Sequence, residues 1–181
     1  MSGPTEAAPA GAPAGSRPVL HLLCGKIAAG KSTLAADLAA QPATLLIAED
    51  RWLARLYPGE IASLEDYARC SRRLRAAIGD HVETLLRAGL SVVLDFPANT
   101  RDQRRWLKGL VEGSGADHRL HLLEVPDAVC KARLRRRNAE GKHEYAATEA
   151  QFEAFTRHFL PPSPDEGLTI VVHPHEGDDG A

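Results

Sequence analysis

The chain has 181 residues, 44% apolar and 25% charged, with a formal net charge of −2. That is globular composition, long enough to bury one sizeable core, and it lacks the basic excess on which a dedicated nucleic-acid binder depends. Three cysteines, Cys24, Cys70 and Cys130, are odd in number and have no C-x-x-C spacing, which argues against a disulfide framework or a structural zinc site and suits a reducing cytoplasm.

In chain order, residues 1–17 are rich in Ala, Pro and Gly, lack the basic and apolar regions of a signal peptide, and read as a disordered leader. VLHLLC (19–24) is a short apolar run feeding a glycine stretch, as a buried parallel strand does, and STLAADLAA from Ser32 supplies good helix formers. TLLIA (44–48) is a second strand ending on Glu49 and Asp50, followed by a short helix over RWLARLY that Pro58 and Gly59 stop. Ser63 and Asp66 form a loose capping box for a long amphipathic helix, which Gly79 is expected to kink and Gly89 to close. SVVLD (91–95) is the third strand, and Thr100 with Gln103 caps the next helix.

RLHLLEV (119–125) is the fourth strand, after which Asp127 is expected to cap AVCKARLRRRN. The polar AEGKHEYAA follows, then a helix opened by Thr148 and Gln151 with Phe152, Phe155 and Phe159 on one face. Pro161 and Pro162 end it, LTIVVH (168–173) is the fifth strand, and the last residues read as a flexible acidic tail. Strand and helix alternate throughout, which means an α/β fold with a parallel sheet in one domain, 18–173. No run reaches the roughly 18 apolar residues that cross a bilayer, so no membrane association is expected.

One stretch carries specific chemistry. GKIAAGKS (25–32) is Gly-x-x-x-x-Gly-Lys-Ser, placed between a strand and a helix. A triphosphate needs many donors close to its oxygens and no side chains in the way. Gly25 and Gly30 let the backbone of Lys26, Ile27, Ala28 and Ala29 wrap tightly, so that its amides point inward. Lys31 then reaches the β- and γ-phosphates of ATP, Ser32 ligates Mg2+, and Thr33 stands where an α-phosphate contact is made. The helix behind them adds its positive end.

A second magnesium anchor is expected at a neighbouring strand tip, and Asp95 is the choice over Glu124, because its strand can lie beside the one that enters the glycine loop. A guanine-nucleotide switch needs N-K-x-D and a transporter ATPase needs L-S-G-G-Q, and the sequence has neither. A compact phosphotransferase remains.

GKIAAGKSTLA, Asp50 after the second strand, the Asp95 string and the late Arg-rich segment together resemble the zeta-toxin-like P-loop kinases, a group that includes chloramphenicol phosphotransferase, gluconate kinase and the kinase part of polynucleotide kinases. The resemblance spans about residues 18–172 and is most specific at the glycine loop. It implies a three-layer P-loop NTPase sandwich with a five-stranded parallel sheet, a helical lid near 138–148 and magnesium ATP as donor. It also implies that Asp50 takes the proton of the acceptor hydroxyl, a role that suits a carboxylate at a strand end beside the phosphates. Capping of the next helix is the alternative role for Asp50, and Glu49 is expected to point elsewhere.

The same resemblance gives lid arginines over the γ-phosphate. Arg133 and Arg137 are four apart and share a helix face, whereas Arg135 and Arg136 are expected to face solvent. Glu140, Glu144, Glu149, Glu153, Asp165 and Glu166 suggest an acidic rim, favouring a neutral or cationic acceptor over a polyanion. Trp52, Tyr57 and Phe96 are candidate stacking surfaces for a sugar ring. The acceptor is then a hydroxyl of a small polar molecule, an antibiotic of aminoglycoside or phenicol type or a sugar. A nucleic-acid 5′-hydroxyl kinase and a non-catalytic nucleotide sensor are the rival readings.

Overall fold

The computed structural model describes residues 17–141, 147–175 and 177. Residues 1–16 of the leader, residues 142–146 of the lid expected near 138–148, and most of the tail lie outside the described residues. Five strands, β1 (Val19–Cys24), β2 (Thr44–Ala48), β3 (Ser91–Pro97), β4 (Asp117–Glu124) and β5 (Ile170–Pro174), form one parallel sheet in the order β2-β3-β1-β4-β5. Among the described residues six α-helices connect them: α1 (Lys31–Ala39), α2 (Glu49–Leu56), α3 (Leu64–Arg87), α4 (Arg101–Ser114), α5 (Asp127–Glu140) and α6 (Glu149–Thr156). The expected α/β class and five-stranded parallel core are thus what the chain forms. Among the described residues no helix is long and apolar enough to cross a membrane.

The alternation of side chains along β1 builds two cores. Leu20, Leu22 and Cys24 point to the face covered by α3 and α4, where they join Leu74, Ile78, Val82 and Leu107. Leu23 points to the opposite face and packs with Ala35 of α1 and Val93. A further cluster on that face gathers Leu123, Cys130, Leu134 and Phe152, joining β4 to α5 and α6. Each fully buried leucine contributes roughly 2 kcal/mol of burial free energy. The three cysteines are free and buried.

Three capping boxes form as the sequence indicates, with Ser63, Thr100 and Thr148 accepting from Asp66, Gln103 and Gln151. Gly79 does not break α3, which runs unbroken for 24 residues. Its cost in helix propensity is met by burial, since Cys70, Leu74, Ile78, Val82 and Leu86 repeat every four residues along the buried stripe. Asp127 does not cap α5 either: it is the first helical residue, behind Pro126, and its carboxylate pairs with Lys26. β3 continues past Asp95 to Pro97, and its pairing with β1 slips there, from Leu22 opposite Leu94 to Leu23 opposite Pro97.

Two buried polar arrays lie away from the glycine loop. Arg104, 1% exposed, donates to both carboxylate oxygens of Glu166 and to the carbonyls of Ala98 and Leu160, tying α4 to the segment before β5. The second array runs through the sheet, and His173 of β5 ends it. His21 Nδ1 lies 3.0 Å from His121 Nε2, and His121 Nδ1 lies 2.9 Å from His173 Nε2, a ladder across three adjacent strands.

Candidate active site

The sheet reverses order between β3 and β1, so the loops leaving their carboxyl ends part and open a crevice. A cavity of about 1140 Å³ lies there. Its floor is the loop between β1 and α1. Gly30 precedes α1 with φ 102°, and Ala28 has φ 60°, both in the left-handed region that bends the loop around a central space. A Cβ at Gly25 would stand 3.2 Å from Cβ of Leu123, so glycine lets the loop lie against β4 without displacing that strand. No side chain caps α1 and no acidic residue stands in its first turn. The free amides of that helix end therefore favour an anion.

Lys26, Ile27, Ala28, Ala29, Gly30, Lys31, Ser32 and Thr33 all line the cavity, while Gly25 sits beneath it. Lys31 Nζ donates to the carbonyls of Gly25 (2.7 Å) and Lys26 (2.8 Å), folding back over its own loop. Burial pushes its ammonium below the usual range, and the carboxylate of Asp95 is the strongest influence holding the charge on. Asp95 pairs across the sheet with Ala48, two residues before Asp50. Both carboxylates line the cavity, at the tip of β3 and in the first turn of α2.

From the opposite flank α5 brings Arg133, Arg136 and Arg137 to the same space. Arg133 Nη1 is 3.5 Å from the carbonyl of Ala29. Arg137 is half-buried; desolvation lowers its guanidinium below the ordinary range, and the nearby charge of Asp50 opposes the shift. Its Nε is buried without a hydrogen-bond partner. A buried donor left over beside a cradle of amides fits a ligand rich in acceptor oxygens, such as a polyphosphate. Arg136 is exposed, as expected, and also borders the cavity, whereas Arg135 pairs with Glu149.

Glu49 is 1% exposed, and the reason is a set of donors on one stripe of α3. Tyr67 Oη and Ser71 Oγ each donate to it at 2.6 Å, and Arg75 Nη2 at 3.4 Å. The spacing 67, 71, 75 is the signal that sequence reading leaves unused: three polar residues four apart share one helix face. Asn99 is a second residue that sequence reading misses. Its Oδ1 accepts from the amide of Gly25 at 2.9 Å and its Nδ2 donates to the Gly25 carbonyl at 3.0 Å, clamping the start of the loop from β3's far end.

The acidic rim dissolves into ion pairs. Glu149 pairs with Arg135, Glu153 with Lys131, Asp165 with Arg101 and Glu166 with Arg104, whereas Glu140 does line the cavity. Glu144 lies outside the described residues. The proposed stacking residues are also elsewhere: Phe96 is core, packed on Trp106, Tyr57 packs against the core, and Trp52 is on the surface. Among the described residues, Tyr67, Phe155 and Phe159 line the cavity, with the imidazole of His158 beside them.

A hydroxyl and a carboxylate, from Ser32 and Asp95, are hard oxygen donors of the kind that hold Mg2+ when phosphates and water complete its shell. Among the described residues no cluster of three or more His, Cys, Asp and Glu forms a complete cage. Two such oxygens fit a metal whose remaining positions phosphate oxygens and water fill.

Comparison with known proteins agrees with this geometry. No curated protein matches the chain in sequence. Among solved structures, a candidate kinase from Chloroflexus aurantiacus superposes with a TM-score of 0.68 at 21% identity, over 88% of this chain and 86% of that one. Chaetomium thermophilum Kti12 in complex with ADP-AlF3 gives 0.66 at 17% identity, over 90% and 92%. The Mycobacterium tuberculosis APS kinase CysC, bound to AMPPNP and APS, gives 0.54 at 22% identity, over 92% and 91%. These likenesses show a fold shared with P-loop kinases. None of the three is a zeta toxin or a chloramphenicol phosphotransferase, so that narrower grouping rests on the resemblance of motifs alone. The AAA domain model (AAA_33) matches residues 20–162, most of the chain and all of the cavity floor, and the protein belongs to that family.

Proposed function

We propose that the protein is an ATP-dependent phosphotransferase that moves the γ-phosphate to a hydroxyl of a small molecule. The observation that carries this reading is the convergence on one cavity of an anion cradle, the carboxylates of Asp95 on β3 and Asp50 in the first turn of α2, and arginines from the facing helix. ATP lies along residues 25–33, with Lys31 released from its own carbonyls to the β- and γ-phosphates. Ser32 and Asp95 hold Mg2+, which when bound offsets phosphate charge. Asp50 accepts the acceptor's proton as the hydroxyl oxygen bonds to the γ-phosphorus, and the bond from that phosphorus to the β–γ bridging oxygen breaks to release ADP. Arg133 and Arg137 neutralise charge on the transferring group.

The acceptor classes drawn from the sequence are an aminoglycoside-type or phenicol antibiotic and a sugar. The reaction belongs in a reducing, ATP-rich compartment such as the cytoplasm, in keeping with three buried free thiols. The test is a transfer screen with γ-labelled ATP across such alcohols, nucleosides and oligonucleotides. Asp50→Asn should lower transfer by about a thousandfold while ATP still binds. Wild-type turnover in that variant would overturn the assignment.

A further inference from the structure

Resting on the phosphotransferase reading, we infer that the acceptor is an alcohol whose hydroxyl is carried beside an aromatic ring, and that Tyr67 and Phe155 are the side chains that recognise the ring. Tyr67, on α3, and Phe155, on α6, meet edge to face with ring centroids 6.4 Å apart, so the two helices close one flank of the cavity through aromatic surface. Both line the cavity together with Leu64, and Phe155 and Leu64 keep 39% and 41% of their surface open. The Tyr67 ring is fixed, because its hydroxyl donates to buried Glu49 at 2.6 Å. Asp50 lies close enough for its charge to act on the Tyr67 phenol, so the wall and the proposed base face the same space.

The polar side chains around this wall point the same way. Glu49 takes three donors from α3. Ser63 Oγ is held by Asp66, both oxygen and nitrogen functions of Asn99 are bound to Gly25, and Gln103 Oε1 accepts from two amides. A site that selects a polyol needs several unspent donors and acceptors aimed at its hydroxyls. On this flank those groups are occupied by the fold, while Leu64 and Phe155 leave apolar surface open to the cavity. An aromatic ring gains from that surface by burial and by edge-to-face contact. A sugar or aminosugar would lose water there without replacement. The ion pairing of Glu149, Glu153 and Asp165 removes the acidic attraction that would favour a polycation.

The experiment uses the full chain, Mg2+ and γ-labelled ATP with matched acceptors: 1-phenyl-1,2-ethanediol and 1-phenyl-1,3-propanediol against glycerol, glucose and kanamycin. The expected result is kcat/KM for the phenyl diols about tenfold or more above the others. Phe155→Ala should raise KM for the phenyl diols by about tenfold, with KM for ATP unchanged. Tyr67→Phe, which keeps the ring, should retain the preference. Phe155→Leu, a second variant at an accessible position, should recover part of the loss. Preferred transfer to glucose, glycerol or kanamycin, or a Phe155→Ala enzyme with unaltered KM for phenyl diols, overturns the ring assignment and leaves the phosphotransferase reading intact. ATP binding without transfer to any alcohol overturns both.

Discussion

The paired hydrogen bonds between Asn99 and Gly25 join the end of β3 to the first residue of the glycine loop, so the loop's shape is set partly from outside it. Asn99 is itself held by Gln103, whose Oε1 accepts the Asn99 amide at 2.8 Å. Removing the side chain leaves the Gly25 amide and carbonyl without these partners. Asn99→Ala should therefore weaken ATP binding about tenfold and cost about 1–2 kcal/mol of stability, measured by calorimetric titration and urea unfolding. Unchanged ATP affinity would mean that the loop holds its form unaided. Arg104 shows the same logic in a drier setting. Arg104→Met leaves Glu166 facing the core unpaired and should cost about 3–5 kcal/mol, whereas adding Glu166→Gln should recover part of that. A double variant no more stable than the single one would show that the cost comes from lost packing and not from the unpaired carboxylate.

At the scale of elements, the sequence is most legible where local chemistry decides the outcome. The three capping boxes are readable because a side chain and an amide three residues apart suffice to form them. The glycine loop is readable because its spacing encodes its own backbone. What escapes the sequence depends on partners far away along the chain. Gly79 carries the local signature of a kink, yet α4 packs over it with Leu110 Cδ2 3.5 Å from where a Cβ would stand. That distance is ordinary contact, so Gly79→Ala should stabilise the protein by about 0.5–1 kcal/mol through helix propensity. A lower urea midpoint would show that α4 needs the closer approach. Helix spacing likewise gives relative faces but not which face meets the cavity, where exposed Arg136 joins Arg133 and Arg137. Residue type alone points to Trp52 and Phe96, while Tyr67 and Phe155, which line the site, are separated by 88 positions and meet only in the fold.

For the whole molecule, the sheet does two unlike things. Its carboxyl ends expose carboxylates to a cavity, and the adjacent strands β1, β4 and β5 carry the ladder His21, His121 and His173. Neutral imidazoles can form such a chain, each ring donating with one nitrogen and accepting with the other. Burial lowers His21 to a pKa of about 4, with Arg119 adding to the shift. His121 is likewise lowered to about 4 by burial, then by His21 and His173 on either side. In the unfolded chain both rings protonate near the usual 6.5. Between about pH 6.5 and 4 the unfolded state therefore binds more protons than the folded one, and stability must fall as pH falls through that window. The loss for the contacting pair is on the order of a few kcal/mol over the full window, and it ceases below the folded-state pKa. Urea unfolding at pH 7.5, 6, 5 and 4.5 should show a falling midpoint, and His121→Asn should flatten the slope even if it lowers stability at pH 7.5. A wild-type midpoint independent of pH across this range would mean that the ladder already carries a proton in the folded protein.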